Sequence, residues 1–163
     1  MSTSLSKERS SSFSKGFTLI ELLVVFSVLT ILAISGLVSY ASYSRTQAVT
    51  NERNTLITTL NVAKARAQAQ VKPASCAAQS LTGYTVVVNA TNETYTLRAL
   101  CSSSTVDIST TTLPTPDIVI VSTSTPNYTF PVLTGTATSG TITIRGYGTI
   151  NQTVNISPNG TIN

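Results

Sequence analysis

The chain has 163 residues, a formal net charge of +4 and only 10% charged side chains. That length holds one modest domain with an appendage, and the absence of histidine excludes Ser-His-Asp and Cys-His catalysis. Two cysteines with no clustered carboxylate make no zinc shell, and neither a P-loop nor a Rossmann glycine pattern occurs, so no metal, no cofactor and no enzyme are expected.

Residues 1–16 are Ser-rich and basic, with Lys7, Arg9 and Lys15 against Glu8, and they end in Gly16. From Phe17 to Val38 follow 22 almost entirely apolar residues, interrupted by Glu21 at the fifth position. As a helix this run is roughly 33 Å long, enough to cross a bilayer core. The basic flank keeps the N-terminus cytoplasmic and sends the rest outward. A carboxylate costs about 2.5–3.5 kcal/mol at mid-membrane and less near the end, so Glu21 is a functional-site candidate. In a secretory signal the small residue follows the apolar run. Here Gly16 precedes it, so cleavage there leaves the helix on the mature chain. Two competing readings stand. Ala33-Ile34-Ser35 before Gly36 has the pattern of a signal-peptidase site that discards the helix, and Glu21 is also compatible with an ordinary single-pass surface anchor.

From Ser39 to Val71 there is no proline and no glycine. Val49, Leu56, Leu60, Ala63 and Ala67 form a narrow apolar stripe at helical period, with Arg45, Arg53, Lys64 and Arg66 mostly off it. Pro73 ends the run. The spacing predicts one helix over 17–71, roughly 80 Å long, apolar all round at first and one-sided later. Ser35-Gly36 is its weak point for a bend. The expected parts are a leader at 1–16, a spanning helix at 17–38, its amphipathic continuation at 39–72 and a β-rich domain at 73–163.

Residues 84–89 and 94–100 are β-rich runs around Asn89-Ala90-Thr91-Asn92-Glu93, which predicts a hairpin. Residues 118–122, 141–145 and 154–156 predict further strands, with turns at Gly146-Tyr147-Gly148 and at Ser157-Pro158-Asn159-Gly160. Residues 102–116 and 122–126 are Ser/Thr/Pro-rich and predict loops, and Asp107 and Asp117, with no motif around them, read as solvated loop acids. Cys76 and Cys101 both fall in the exported part, where a disulfide closing about 25 residues contributes on the order of 3 kcal/mol. The alternative is two buried free thiols.

The stretch Lys15-Gly16-Phe17-Thr18-Leu19-Ile20-Glu21-Leu22-Leu23-Val24-Val25 resembles the class III signal of type IV prepilins, pseudopilins and competence pseudopilins. The resemblance implies cleavage between Gly16 and Phe17 by a prepilin peptidase, which then N-methylates Phe17. It implies that Glu21 serves filament assembly, and in a bundle of parallel helices its carboxylate is expected to neutralise the new amine of a neighbouring subunit. It also implies an α+β pilin fold, with the long helix packed on an antiparallel β-sheet. The partners implied are other pilin or pseudopilin subunits, the cytoplasmic membrane, and an assembly platform with its motor. Phe130-Pro131, Gly140-Thr141-Ile142-Thr143-Ile144 and Val154-Asn155-Ile156-Ser157-Pro158-Asn159-Gly160 are similar to the last strands of H-type pseudopilins of type II secretion and FimT-like minor pilins. Residues 60–69 are similar to the helix end of the same proteins, without its usual glutamate.

Some minor pilins of this kind bind DNA during uptake, which makes Arg98 and Arg145, the latter beside Tyr147, candidate phosphate contacts. After the leader the chain carries seven basic residues against five acidic ones, a balance that does not by itself call for nucleic acid. Solubilising surface arginines are the alternative. The expected location is the cytoplasmic membrane, then a pilus or pseudopilus.

Overall fold

The computed structural model describes residues 16–163 except 77 and 115, and for residues 34–38 it describes the backbone without the side chains. The expected leader up to Lys15 lies outside the described residues, as do the side chains of Ser35 and Gly36, where the expected bend and the competing cleavage site fall. The chain divides into two compact units, Met1–Tyr40 and Ala41–Asn163.

One helix, α1 (Leu19–Gln68), supplies residues to both units. In the first unit every side chain of residues 19–33 is exposed. The polar ones turn inward on their own helix: Ser27 Oγ donates to the Val24 carbonyl at 2.8 Å and Thr30 Oγ1 to that of Phe26 at 2.7 Å. An apolar surround then meets no free hydroxyl at either position.

In the second unit Val49, Leu56, Leu60, Ala63 and Ala67 are all buried, as their period requires. The helix starts at Leu19 rather than 17 and ends at Gln68 rather than 71. Its end is set before Pro73 acts. Gln70 adopts a left-handed φ of 51°, the Gln70 N–H donates to Ala67 O at 3.3 Å, and the Val71 N–H donates to Arg66 O at 3.0 Å. That is the Schellman arrangement, here without the usual glycine.

After a single 3₁₀ turn, Ala74–Cys76, seven strands form two antiparallel sheets. They are β1 (Leu81–Asn89), β2 (Thr94–Cys101), β3 (Thr105–Thr112), β4 (Ile118–Thr123), β5 (Asn127–Pro131), β6 (Gly140–Gly146) and β7 (Ile150–Ile156). The four-stranded sheet runs β3-β2-β1-β5 and the three-stranded one β4-β6-β7. A disulfide joins Cys76 to Cys101 with a Cα–Cα distance of 5.9 Å, tying the segment after the helix to the end of β2.

Two strands are not among those the sequence predicts. β3 occupies the expected 102–116 loop, because Val106 and Ile108 alternate with polar residues and Thr favours extended backbone. β5 lies just after Pro126 and ends in Pro131. Proline is tolerated there because β5 is an edge strand.

One core unites the helix stripe with both sheets. It holds Tyr84 and Val86 of β1, Tyr95 and Leu97 of β2, Tyr128 and Phe130 of β5, Ile142 and Ile144 of β6, and Val154 and Ile156 of β7. The α+β architecture is a helix packed on an antiparallel β domain, the pilin arrangement. Polar ties complete it. Arg53 Nε donates to Thr153 O at 3.1 Å, Lys64 Nζ to Gly160 O at 2.8 Å, and the Tyr84 hydroxyl to Val71 O at 2.5 Å. In the β1–β2 turn Glu93 takes a left-handed φ of 52°. Its carboxylate accepts the Ile120 N–H, joining one sheet to the edge strand of the other.

Candidate functional site

Gly16, Phe17 and Thr18 precede α1 in non-helical, exposed backbone. Nothing lies within 4 Å of where a Cβ on Gly16 would sit, so nothing in the described chain demands glycine there. The Thr18 hydroxyl accepts the Glu21 N–H at 3.3 Å, and the Thr18 carbonyl accepts the Leu22 N–H at 3.2 Å. Thr18 is therefore the N-cap and Glu21 stands three residues on, the spacing of a capping box. A carboxylate in the first turn is also favoured by the helix dipole. This local role of Glu21 is legible in Thr18-Leu19-Ile20-Glu21, and reading the stretch only as a processing signal passes over it. The Glu21 side chain is exposed, with no ion-pair partner among the described residues.

The two arginines singled out in the sequence are not brought together. Arg98 lies on β2 of the four-stranded sheet and Arg145 on β6 of the three-stranded one, so they are not on neighbouring strands. Arg98 is bidentate to Asp107 across the β2–β3 pair, with Nη2 to Oδ2 at 3.2 Å and Nε to Oδ1. The Arg98 hydrogen bonds hold the Asp107 carboxyl below its usual range, and the same bonds raise Arg98. Asp107 is thus a cross-strand partner, not a free loop acid. Arg145 is half-buried opposite Val119 of β4 and Asn151 of β7. The ring of Tyr147 is covered by Arg45 instead, whose guanidinium carbon lies 5.4 Å from the ring centroid.

Burial raises the hydroxyls of Tyr84 and Tyr95 above the ordinary phenol range, with Arg66 partly offsetting it at Tyr84. Tyr95 Oη is buried without a hydrogen-bond partner among the described residues. An open groove of about 350 Å³ beside Thr59, Arg66, Ile108 and Ser109 has no carboxylate in its lining. Among the described residues there is no group of three or more His, Cys, Asp or Glu side chains fit to hold a metal ion. Nor is any helix, among the described residues, long and apolar enough to cross a membrane; side chains are described continuously only over 19–33 of the apolar run.

A family model, the prokaryotic N-terminal methylation motif, matches residues 12–37. Neither the search of curated proteins nor that of solved structures finds a match. The matched segment contains Gly16, Phe17 and Glu21 and runs into a helix that packs on an antiparallel β domain. The motif at residues 12–37 and a helix packed on an antiparallel β domain together support a type IV pilin-like protein.

Proposed function

We propose that the chain is a structural subunit, a minor pilin or pseudopilin, of a type IV pilus or a type II secretion-like filament. The observation that carries this reading is the methylation motif at residues 12–37, leading directly into an apolar helix whose continuation is built into a β domain. Prepilin peptidase cuts between Gly16 and Phe17 and methylates the Phe17 amine. Residues 17–38, a largely apolar run of 22 residues with one carboxylate, hold the subunit in the cytoplasmic membrane with its β domain outside. On assembly, driven by a platform and motor, this segment leaves lipid for the apolar helices of neighbouring subunits. Glu21 neutralises the methylated amine of a neighbour, removing two desolvated charges at once. The last strands favour the H-type and FimT-like branch by their sequence resemblance.

Exposure of the whole 19–33 surface supports a subunit that must bury it against other molecules. Competence DNA binding gains nothing from the fold, since Arg98 is paired and lies on a different sheet from Arg145. The test is twofold. Gly16→Leu should leave the leader attached, and Glu21→Gln should be processed yet enter filaments poorly. Normal processing of the first variant would return the chain to the ordinary surface anchors. Normal incorporation of the second would remove Glu21 from assembly and leave it only its place in the helix cap.

A further inference from the structure

We propose that the open edge of β3, with the groove between it and α1, takes up an extended acidic segment of another protein as a fifth strand of the four-stranded sheet. A sheet edge carries unpaired N–H and C=O groups, and folded chains cover or block them. Three of the four edges here are covered. On β4 the Glu93 carboxylate accepts the Ile120 N–H. On β5 the Thr129 carbonyl accepts the Thr138 N–H at 3.0 Å. On β7 Asn155 exchanges two backbone hydrogen bonds with Asn163, at 2.8 and 3.0 Å, and Arg53 Nε donates to the Thr153 carbonyl at 3.1 Å.

The β3 edge is the exception. The Leu113 N–H donates to Glu93 O at 2.8 Å, which makes these two residues a hydrogen-bonded pair just beyond the β2–β3 ladder. By alternation the N–H and C=O groups of Thr110 and Thr112 point away from β2. Among the described residues no donor or acceptor meets them. Strand Thr105–Thr112 holds no proline and no lysine to deter pairing, and its one acid, Asp107, is bound to Arg98. A bulge at Ile108 interrupts the ladder and leaves 109–112 regular.

The groove indicates which chain fits. Val62 of α1, Leu97 of β2 and Ile108 of β3 give it apolar walls, and Arg66 is the only charged residue that lines it. Alternate side chains of a strand share one face, so a strand added beside 109–112 turns every second side chain toward the groove. There an apolar side chain meets Val62 and Ile108, and a carboxylate two residues away forms a charge-assisted pair with Arg66. A second copy of this chain lacks that carboxylate, because the Asp107 of its own β3 is bidentate to Arg98. Main-chain bonds along the edge supply affinity and the groove supplies selectivity, as in other strand-addition complexes. Strand capture of this kind needs neither the cleavage nor the filament proposed above.

The full chain in detergent would be titrated with a fluorescent synthetic peptide that alternates valine with threonine and carries one glutamate two places after a valine. The expected result is saturable binding, with slowed hydrogen exchange at the Thr110 and Thr112 amides. Replacing the peptide's glutamate by glutamine should weaken binding about tenfold. N-methylation of its alternate backbone amides should abolish binding, since the side chains stay while the donors are lost. In the protein, Thr110→Pro removes an outward N–H without taking a bond from the β2 ladder, and binding should be lost. Arg66→Gln should erase the preference for glutamate over glutamine. Unchanged exchange along β1 (Leu81–Asn89) shows that each variant is folded. No binding, or equal binding of the N-methylated peptide by the native chain, overturns the strand addition. Equal binding of the glutamine peptide overturns the acidic partner and the role of Arg66. Cross-linking of β3 to β3 between copies, unaffected by the peptide, makes the occupant a second copy and also overturns the proposal. Every one of these outcomes leaves cleavage at Gly16 to its own test.

Discussion

In α1, residues 19–33 expose apolar side chains on every side, whereas residues 49–67 bury five at helical spacing and leave the polar ones between them half-buried or exposed. The second stretch finds its partner within the chain, in a core made by both sheets. The first finds none among the described residues of its own unit. A helix apolar all round is stable only when something surrounds it. The same helix therefore carries two kinds of surface, and the division falls near the boundary of the two compact units at Tyr40 and Ala41.

The contrast can be broken most strongly at Leu60, fully buried in the stripe. Leu60→Ala should lower the stability of the β-domain unit by about 2–5 kcal/mol in urea denaturation, while Leu22→Ala should leave it unchanged. Equal losses would dissolve the distinction between the stretches. Next in size is the Cys76–Cys101 disulfide. Cys101→Ser should cost about 3 kcal/mol by the same measurement, with no effect on the exposed stretch. Gly146→Ala comes third, about 1–3 kcal/mol, because its Cβ collides with Val49. Val49→Ala in the same chain should recover part of that loss, and a purely additive double variant would show that the helix does not press on the turn.

The smallest effect concerns the exposed Arg98–Asp107 pair, worth no more than about 1 kcal/mol. Since folding lowers the Asp107 pKa, its contribution is present above the ordinary carboxylate range. It is lost as pH falls through the lowered value. Stability curves of the native chain and Asp107→Asn should converge in acid and separate toward neutrality. Parallel curves would deny the pairing a role.

What could be read from the sequence followed from strong periodicity. The stripe from Val49 to Ala67 was visible because helical spacing repeats through it, and Ile142 and Ile144 because strict alternation marks β6. Strand β3 was hidden by composition, since Ser, Thr and Pro around Val106 and Ile108 imitate a loop. With β3 unseen, the Arg98–Asp107 pair could not be anticipated. The Schellman end at Gln70 carries no glycine to announce it. At the processing site the reverse holds. Lys15 to Val25 named the class from eleven residues, while the cap between Thr18 and Glu21 needed the helix start to be fixed. The Arg45–Tyr147 contact joins residues far apart in the chain and depends on how β6 meets the helix.

The central claim is that this chain is cut before Phe17 and enters a filament through the helix that follows. Mass spectrometry of filaments sheared from the cell surface tests it most directly, reading the N-terminus of this chain and its ratio to the dominant subunit. The account predicts a chain beginning with N-methylated Phe17, at trace level for a minor pilin, or processed but retained in the membrane for a pseudopilin. A chain that keeps residues 1–16 attached would contradict it.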